Sequence, residues 1–118
     1  MVISNIATFI STELDLVLGK DIWLHNIPFG KNEGIAVKMV RRLADFGHFR
    51  VTRVAAYVMY RHWKTQEETF NLIHDLMENR RGGISVDWSV SDEIQTHNYG
   101  IDENNRFVTS VAFNVQHT

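Results

Sequence analysis

Apolar residues recur at Ile3, Ile6, Ala7, Ile10, Leu14 and Val17. This i, i+3, i+4, i+7 spacing gathers side chains on one face of a helix and predicts helix over residues 2–18. Gly19 is the expected stop. "DIWLHN" then predicts a short strand at 22–26, closed by Pro28, the only proline, and Gly30. After a turn at "KNEG" (31–34), "IAVKMVRRL" predicts a second strand at 35–43. "ADFGH" turns the chain, and "FRVTRVAAYVMYRHW" (49–63) is a long run of β-branched and aromatic residues. Val54, Ala56, Val58 and Tyr60 fall on one side of that strand, and Val51, Ala55, Tyr57 and Met59 on the other. A strand apolar on both sides is expected to be covered on both, by a helix and either a sheet or a neighbouring subunit.

The second helix carries more local signals. Thr65 precedes Glu68 by three residues, the spacing of a capping box. Glu67 and Glu68 suit the positive end of the helix dipole, and Arg80 and Arg81 the negative end. Phe70, Ile73, Leu76 and Met77 form its apolar stripe, and Gly82 and Gly83 end it. "ISVDWSV" (84–90) alternates apolar and polar, as a half-exposed strand does. Residues 91–105 are polar and read as a loop or a hairpin extension. The last strand, 106–116, puts Phe107, Thr109, Val111, Phe113 and Val115 on one side. The order α-β-β-β-α-β-β defines one α+β domain over residues 1–118. A four- to five-stranded sheet, mostly antiparallel or mixed, is expected with two helices packed on one face.

At 118 residues, 44% of them hydrophobic and 22% charged, the chain can bury a core of ordinary size. It has no cysteine, so no disulfide and no thiolate zinc site can form. No apolar run approaches the length of a membrane span. "MVISNIATFISTELDLVLG" lacks a basic leader and contains Glu13 and Asp15, so no signal peptide is expected.

Charge changes the picture more. Between Lys38 and Lys64 stand seven basic residues, Lys38, Arg41, Arg42, Arg50, Arg53, Arg61 and Lys64, against Asp45 alone, a surplus of six. The remainder holds five basic and thirteen acidic residues, a deficit of eight. A cationic middle with anionic flanks suits attraction to other copies of the chain or to nucleic acid. The plainer alternative is charge spread over solvated faces, with the arginines guarding a strand edge against aggregation.

Candidate chemistry is sparse. The sequence contains no GxxxxGK[ST], GxSxG or HExxH. "GKNEG" and "RRGG" lack the strand-to-helix setting of a phosphate loop. Of the six histidines, His25, His48, His62, His74, His97 and His117, no two stand four apart. His25 and His62 could meet across strands, though structural or surface roles fit them better. "DENN" (102–105) offers oxygen ligands without EF-hand spacing and reads as a turn. No catalytic residue, metal or cofactor is expected. Arg41, Arg50, Arg53 and Arg61, on neighbouring strands, are expected to form one patch. With Phe49, Tyr57, Tyr60 and Trp63 nearby, that patch would serve a nucleic-acid-binding module.

Taken over nearly its whole length, the chain resembles the bacteriophage tail terminator family, also described as tail completion or minor capsid proteins. An amphipathic N-terminal helix leads to the short strand "DIWLHN". The long strand "FRVTRVAAYVMYR" runs into the helix "TQEETFNLIHDLMEN". "GGISVDWSV" follows a glycine turn, and "DENNRFVTSVAFNVQ" is a polar turn with a closing strand. The resemblance implies a structural, non-enzymatic protein forming a ring, usually of six subunits, on the head-proximal end of the tail tube. Such a ring stops tube growth and receives the head–neck connector, and DNA passes through its lumen without sequence-specific binding. It implies a virion location in the tail or neck, after assembly in the host bacterial cytoplasm, with no membrane partner. The expected subunit contacts draw on Arg41, Arg42, Arg50, Arg53 and Arg61 on one side and Glu67, Glu68, Asp92 and Glu93 on the other. Another neck or head-completion protein, a small nucleic-acid-binding module, and an enzyme with a site assembled from distant residues are the alternatives.

Overall fold

A computed structural model describes residues 2–27, 33–47, 50–78, 88–90 and 94–117. Two helices and six strands follow in the order α1 (Val2–Glu13), β1 (Ile22–Leu24), β2 (Gly34–Asp45), β3 (Arg50–Tyr60), α2 (Trp63–Glu78), β4 (Trp88–Val90), β5 (Gln95–Ile101) and β6 (Phe107–His117). They build one mixed sheet in the order β1-β2-β3-β6-β4, with β5 also on β6. β1 and β2 run parallel, and every other pair is antiparallel. The α+β class holds, with six strands where four or five were expected.

The additional strand is β5, inside the stretch expected to be a loop or hairpin extension. All seven of its residues are exposed, so no hydrophobic alternation marks it. Its backbone pairs with the outer edge of β6, from Gln95 opposite Ala112 to Ile101 opposite Phe107. β4 occupies the same edge farther along, with Val90 opposite Val115. β6, the last strand in sequence, therefore lies inside the sheet, flanked on its other edge by β3 along its full length.

Both helices lie on one face. Ile3, Ile6, Ala7 and Ile10 of α1 and Ile73 and Met77 of α2 join a single core with Ile35 and Val37 of β2, Val54, Ala56 and Val58 of β3, and Val111, Phe113 and Val115 of β6. Most of these side chains are fully shielded from water. Each of the larger side chains among them, Val, Ile, Met and Phe, contributes roughly 1.5–3 kcal/mol of burial.

Local chemistry moves the helix ends from their expected places. α1 stops at Glu13 because Asp15 turns left-handed, at φ 55°. The Leu16 N–H then bonds the Ser11 carbonyl at 2.8 Å, the six-to-one bond of a Schellman cap. Val17 is consequently exposed rather than part of the apolar stripe. α2 starts two residues before Thr65, so the Thr65–Glu68 capping box does not form. The Lys64 N–H instead donates to Nδ1 of His62 at 3.3 Å. Arg80, Arg81, Gly82, Gly83 and residues 84–87 lie outside the described residues, as do Pro28 and Gly30.

Gln66, in the first turn of α2, is 5% exposed and links three elements. Its Nε2 donates to the Val58 carbonyl at 2.8 Å and to Oγ1 of Thr109 at 2.9 Å. Its Oε1 accepts the Tyr60 N–H at 2.9 Å. This amide fixes α2 against β3 and β6, a role nothing in the local pattern announced.

Candidate interaction surface

Among the described residues, no helix lies on the sheet's second face. The register places Ala55 opposite Ala112, and Tyr57 opposite Ser110, on β3 and β6. Gln95 and His97 of β5 stand opposite Ala112 and Ser110 in turn. Small residues of β3 and β6 thus form a floor, and larger ones from β2, β3 and β5 rise around it: Val40, Arg53, Tyr57, His97 and Tyr99. The result is an open bowl of about 520 Å³. Ala55 and Ser110 at its bottom are 2% and 4% exposed, although no described element lies over them.

The bowl is cationic and aromatic, and among the described residues no carboxylate lines it. Arg53 donates from Nη1 to Oδ1 of Asn114 at 3.0 Å and from Nη2 to Oε1 of Gln95. The Lys38 ammonium stands 5.0 Å from the centre of the Tyr57 ring, a cation–π contact. The Tyr57 ring lies 6.0 Å from that of Tyr99, which has His97 at 4.2 Å. Burial, and then the neighbouring Tyr99, push the Tyr57 hydroxyl above the ordinary phenol range. Tyr57 is therefore protonated at neutral pH and serves as a donor or acceptor, not as a base.

Beside the bowl, β2 runs past its short partner β1 as an edge strand. β1 pairs only with Ile35 to Val37. Beyond it, Met39, Val40 and Leu43 are 49%, 47% and 38% exposed, with Arg41 and Arg42 exposed among them. Register shifts at Val40 and Leu43 bend this edge, a common protection against uncontrolled strand pairing.

The expected interface arginines divide. Arg41 lies directly opposite Arg53 on β3, and Arg42 opposite Thr52. Arg50 is paired with Asp45, Nε to Oδ2 at 3.6 Å. Arg61 belongs to the other end of β3, eight positions from Arg53, or roughly 27 Å along a strand. There its N–H donates to Oε1 of Glu33 at 2.8 Å and its Nε to the Asn104 carbonyl at 3.2 Å. The single four-arginine patch is therefore not formed. The aromatic residues divide as well: Tyr57 faces the bowl, Tyr60 packs against the core on the helix side, and Trp63 begins α2. Phe49 is outside the described residues. Glu67 and Glu68 are exposed on α2, across the sheet from the bowl. Asp92 and Glu93 lie outside the described residues.

"DENN" is a turn held from within. Oδ1 of Asp102 accepts the N–H groups of Asn104 and Arg106 at 2.9 and 3.0 Å. Its Oδ2 accepts Nε and Nη2 of Arg106 at 2.9 and 2.8 Å. Burial raises the Asp102 pKa, but these donors outweigh it and hold the carboxyl below its usual value. Four donors already occupy the oxygens that a cation would need. Among the described residues no group of three or more His, Asp or Glu could hold a metal ion, and no helix is long and apolar enough to cross a membrane. Sequence reasoning missed the bowl because its defining feature, small residues of β3 and β6 side by side with β5 along their edge, exists only once the register is known.

No model of a known protein family matches the chain, and no curated protein is significantly similar to it.

Proposed function

We propose that the chain is a structural assembly subunit of the tail terminator type. Copies of it form a ring, of six subunits in the usual case, on the head-proximal end of a phage tail tube. The ring ends tube growth, presents a surface to the head–neck connector and lets DNA through its lumen. It works in the virion and performs no catalysis. The sequence resemblance supplies the identity of the assembly. The observation that carries self-association is the exposed apolar edge of β2 at Met39, Val40 and Leu43, beside a sheet face on which no described helix lies. Extended apolar surface left in water marks an interaction site in a protein of this size.

A second reading draws on the same face. Arg53, Lys38 and the Tyr57–Tyr99 pair are the ingredients of a nucleic-acid surface. The assembly reading accounts for the apolar edge as well and is preferred.

Light scattering of the purified protein over a wide concentration range, with and without tail tube protein, is the test. Growth into a discrete multimer, alone or on tube ends, is expected. A strict monomer in both conditions refutes the ring. Oligonucleotide binding with a steep salt dependence in that monomer would favour the second reading.

A further inference from the structure

Leu72 has no explanation in the fold. It is 54% exposed at the middle of α2, whose inward side is already served by Gln66, Ile73 and Met77. Glu68 and Asp75 stand one turn before it and one turn after, on the same stripe, and both are exposed. The outer side of α2 therefore shows an aliphatic knob between two carboxylates. The bowl has the opposite character: a floor of small residues, aromatic walls, Arg53 and Lys38 at its margin, and no acid among the described residues of its lining.

We propose that the Glu68–Leu72–Asp75 stripe of α2 docks in the bowl of a second copy of this chain. Leu72 enters over Ala55 and Ala112, against the rings of Tyr57 and Tyr99. Glu68 and Asp75 meet Arg53 and Lys38 at the rim. An apolar anchor in a pocket, ringed by complementary charge, is the usual anatomy of a specific interface. α2 and the bowl lie on opposite faces of one sheet, so the two cannot meet within a subunit. The contact is head-to-tail: each copy offers its helix to one neighbour and its bowl to another. Such contacts close into a ring when the rotation between copies allows it. The docking would also cover the second side of β3, whose two apolar sides called for two coverings. This inference rests on the reading of the chain as a ring subunit and adds which surfaces meet.

The test uses two variants that change only one partner of the contact each. Leu72→Asp removes the knob from an exposed helical position. Ala112→Phe fills the bowl from a half-exposed position on the open face, with a residue suited to strands. Circular dichroism and melts establish that each is folded, and sedimentation velocity then reads the mass. Each variant alone is expected to associate about tenfold more weakly than wild type, or less. Mixed in equal amounts, they should form a one-to-one dimer and nothing larger. In that pair the Ala112→Phe helix enters the intact Leu72→Asp bowl, and the remaining helix and bowl are both spoiled. If Ala112→Phe does not fold, the double reversal Glu68→Lys with Asp75→Lys replaces it, and loss of assembly with an intact melt is expected. Wild-type assembly by Leu72→Asp overturns the docking while leaving the ring reading standing, as it would if a small organic anion were the bowl's occupant. A mixture that assembles beyond the dimer also overturns it. A wild-type chain that stays monomeric with and without tube protein overturns both readings.

Discussion

Gly34 opens β2 at φ 140°, in the left-handed half of backbone space where side chains are rarely accommodated. A Cβ there would lie 2.5 Å from Cζ3 of Trp23 and 2.7 Å from the Asp21 carbonyl oxygen. The ring could shift, but the carbonyl is fixed, because it accepts the Ile35 N–H at 3.0 Å. Gly34→Ala should therefore destabilise the protein by about 2–4 kcal/mol, read from urea unfolding. Gln66 is the polar counterpart, a buried amide with all three of its bonds made inside the protein. Gln66→Ala removes them together and should cost about 2–3 kcal/mol. A loss under about 0.5 kcal/mol would show that water replaces the amide at no penalty.

Among the elements, the β5–β6 hairpin shows how a strand can exist without a hydrophobic pattern. Its turn is built by Asp102 and Arg106, with Asn105 at φ 60°, a conformation asparagine tolerates. The turn brings β5 back along β6, and backbone pairing does the rest. Because the Asp102 pKa is lowered on folding, its contribution is present above the ordinary carboxylate pKa and is lost as pH falls through the lowered value. Asp102→Asn should cost about 0.5–1 kcal/mol at neutral pH, a modest figure because the turn is solvent-accessible. The difference from wild type should vanish once the pH is well below about 4. Urea unfolding of both proteins across the acid range measures it, and a constant difference at all pH values would contradict the assignment.

At the scale of the whole molecule, described residues of opposite charge stand on the two sides of the sheet. The open side gathers Lys38, Arg41 and Arg53, while Glu67, Glu68 and Asp75 stand exposed on α2 at the other side. A molecule polarised across its sheet favours head-to-tail stacking and disfavours meeting face to face with its own kind. Assembly should therefore weaken as salt rises from about 0.05 to 0.5 M, since the shorter screening length reduces attraction between partly exposed charges. Sedimentation at several salt concentrations reads this directly. Association that strengthens with salt would assign the contact to apolar surface alone.

The α+β class, both helices, the core strands β3 and β6 and the inward residues Val111, Phe113 and Val115 were legible in the chain. Each of these repeats an apolar side chain at the period of its own element, and that period is a property of the sequence. What lacked a period was not legible. β5 is exposed along its whole length and lacks apolar alternation, and pairing with the edge of β6 makes it a strand. The Asp15 cap and the His62 N-terminus rest on single backbone geometries that compete with equally good local signals at Gly19 and Thr65. The division of the arginines was hidden because neighbours in sequence, such as Arg53 and Arg61, are carried to opposite ends of an extended strand. The bowl was hidden for the converse reason. Ala55, Gln95, Ser110 and Ala112 come from three strands, and only the register, set by core packing on the far side of the sheet, brings them to one level.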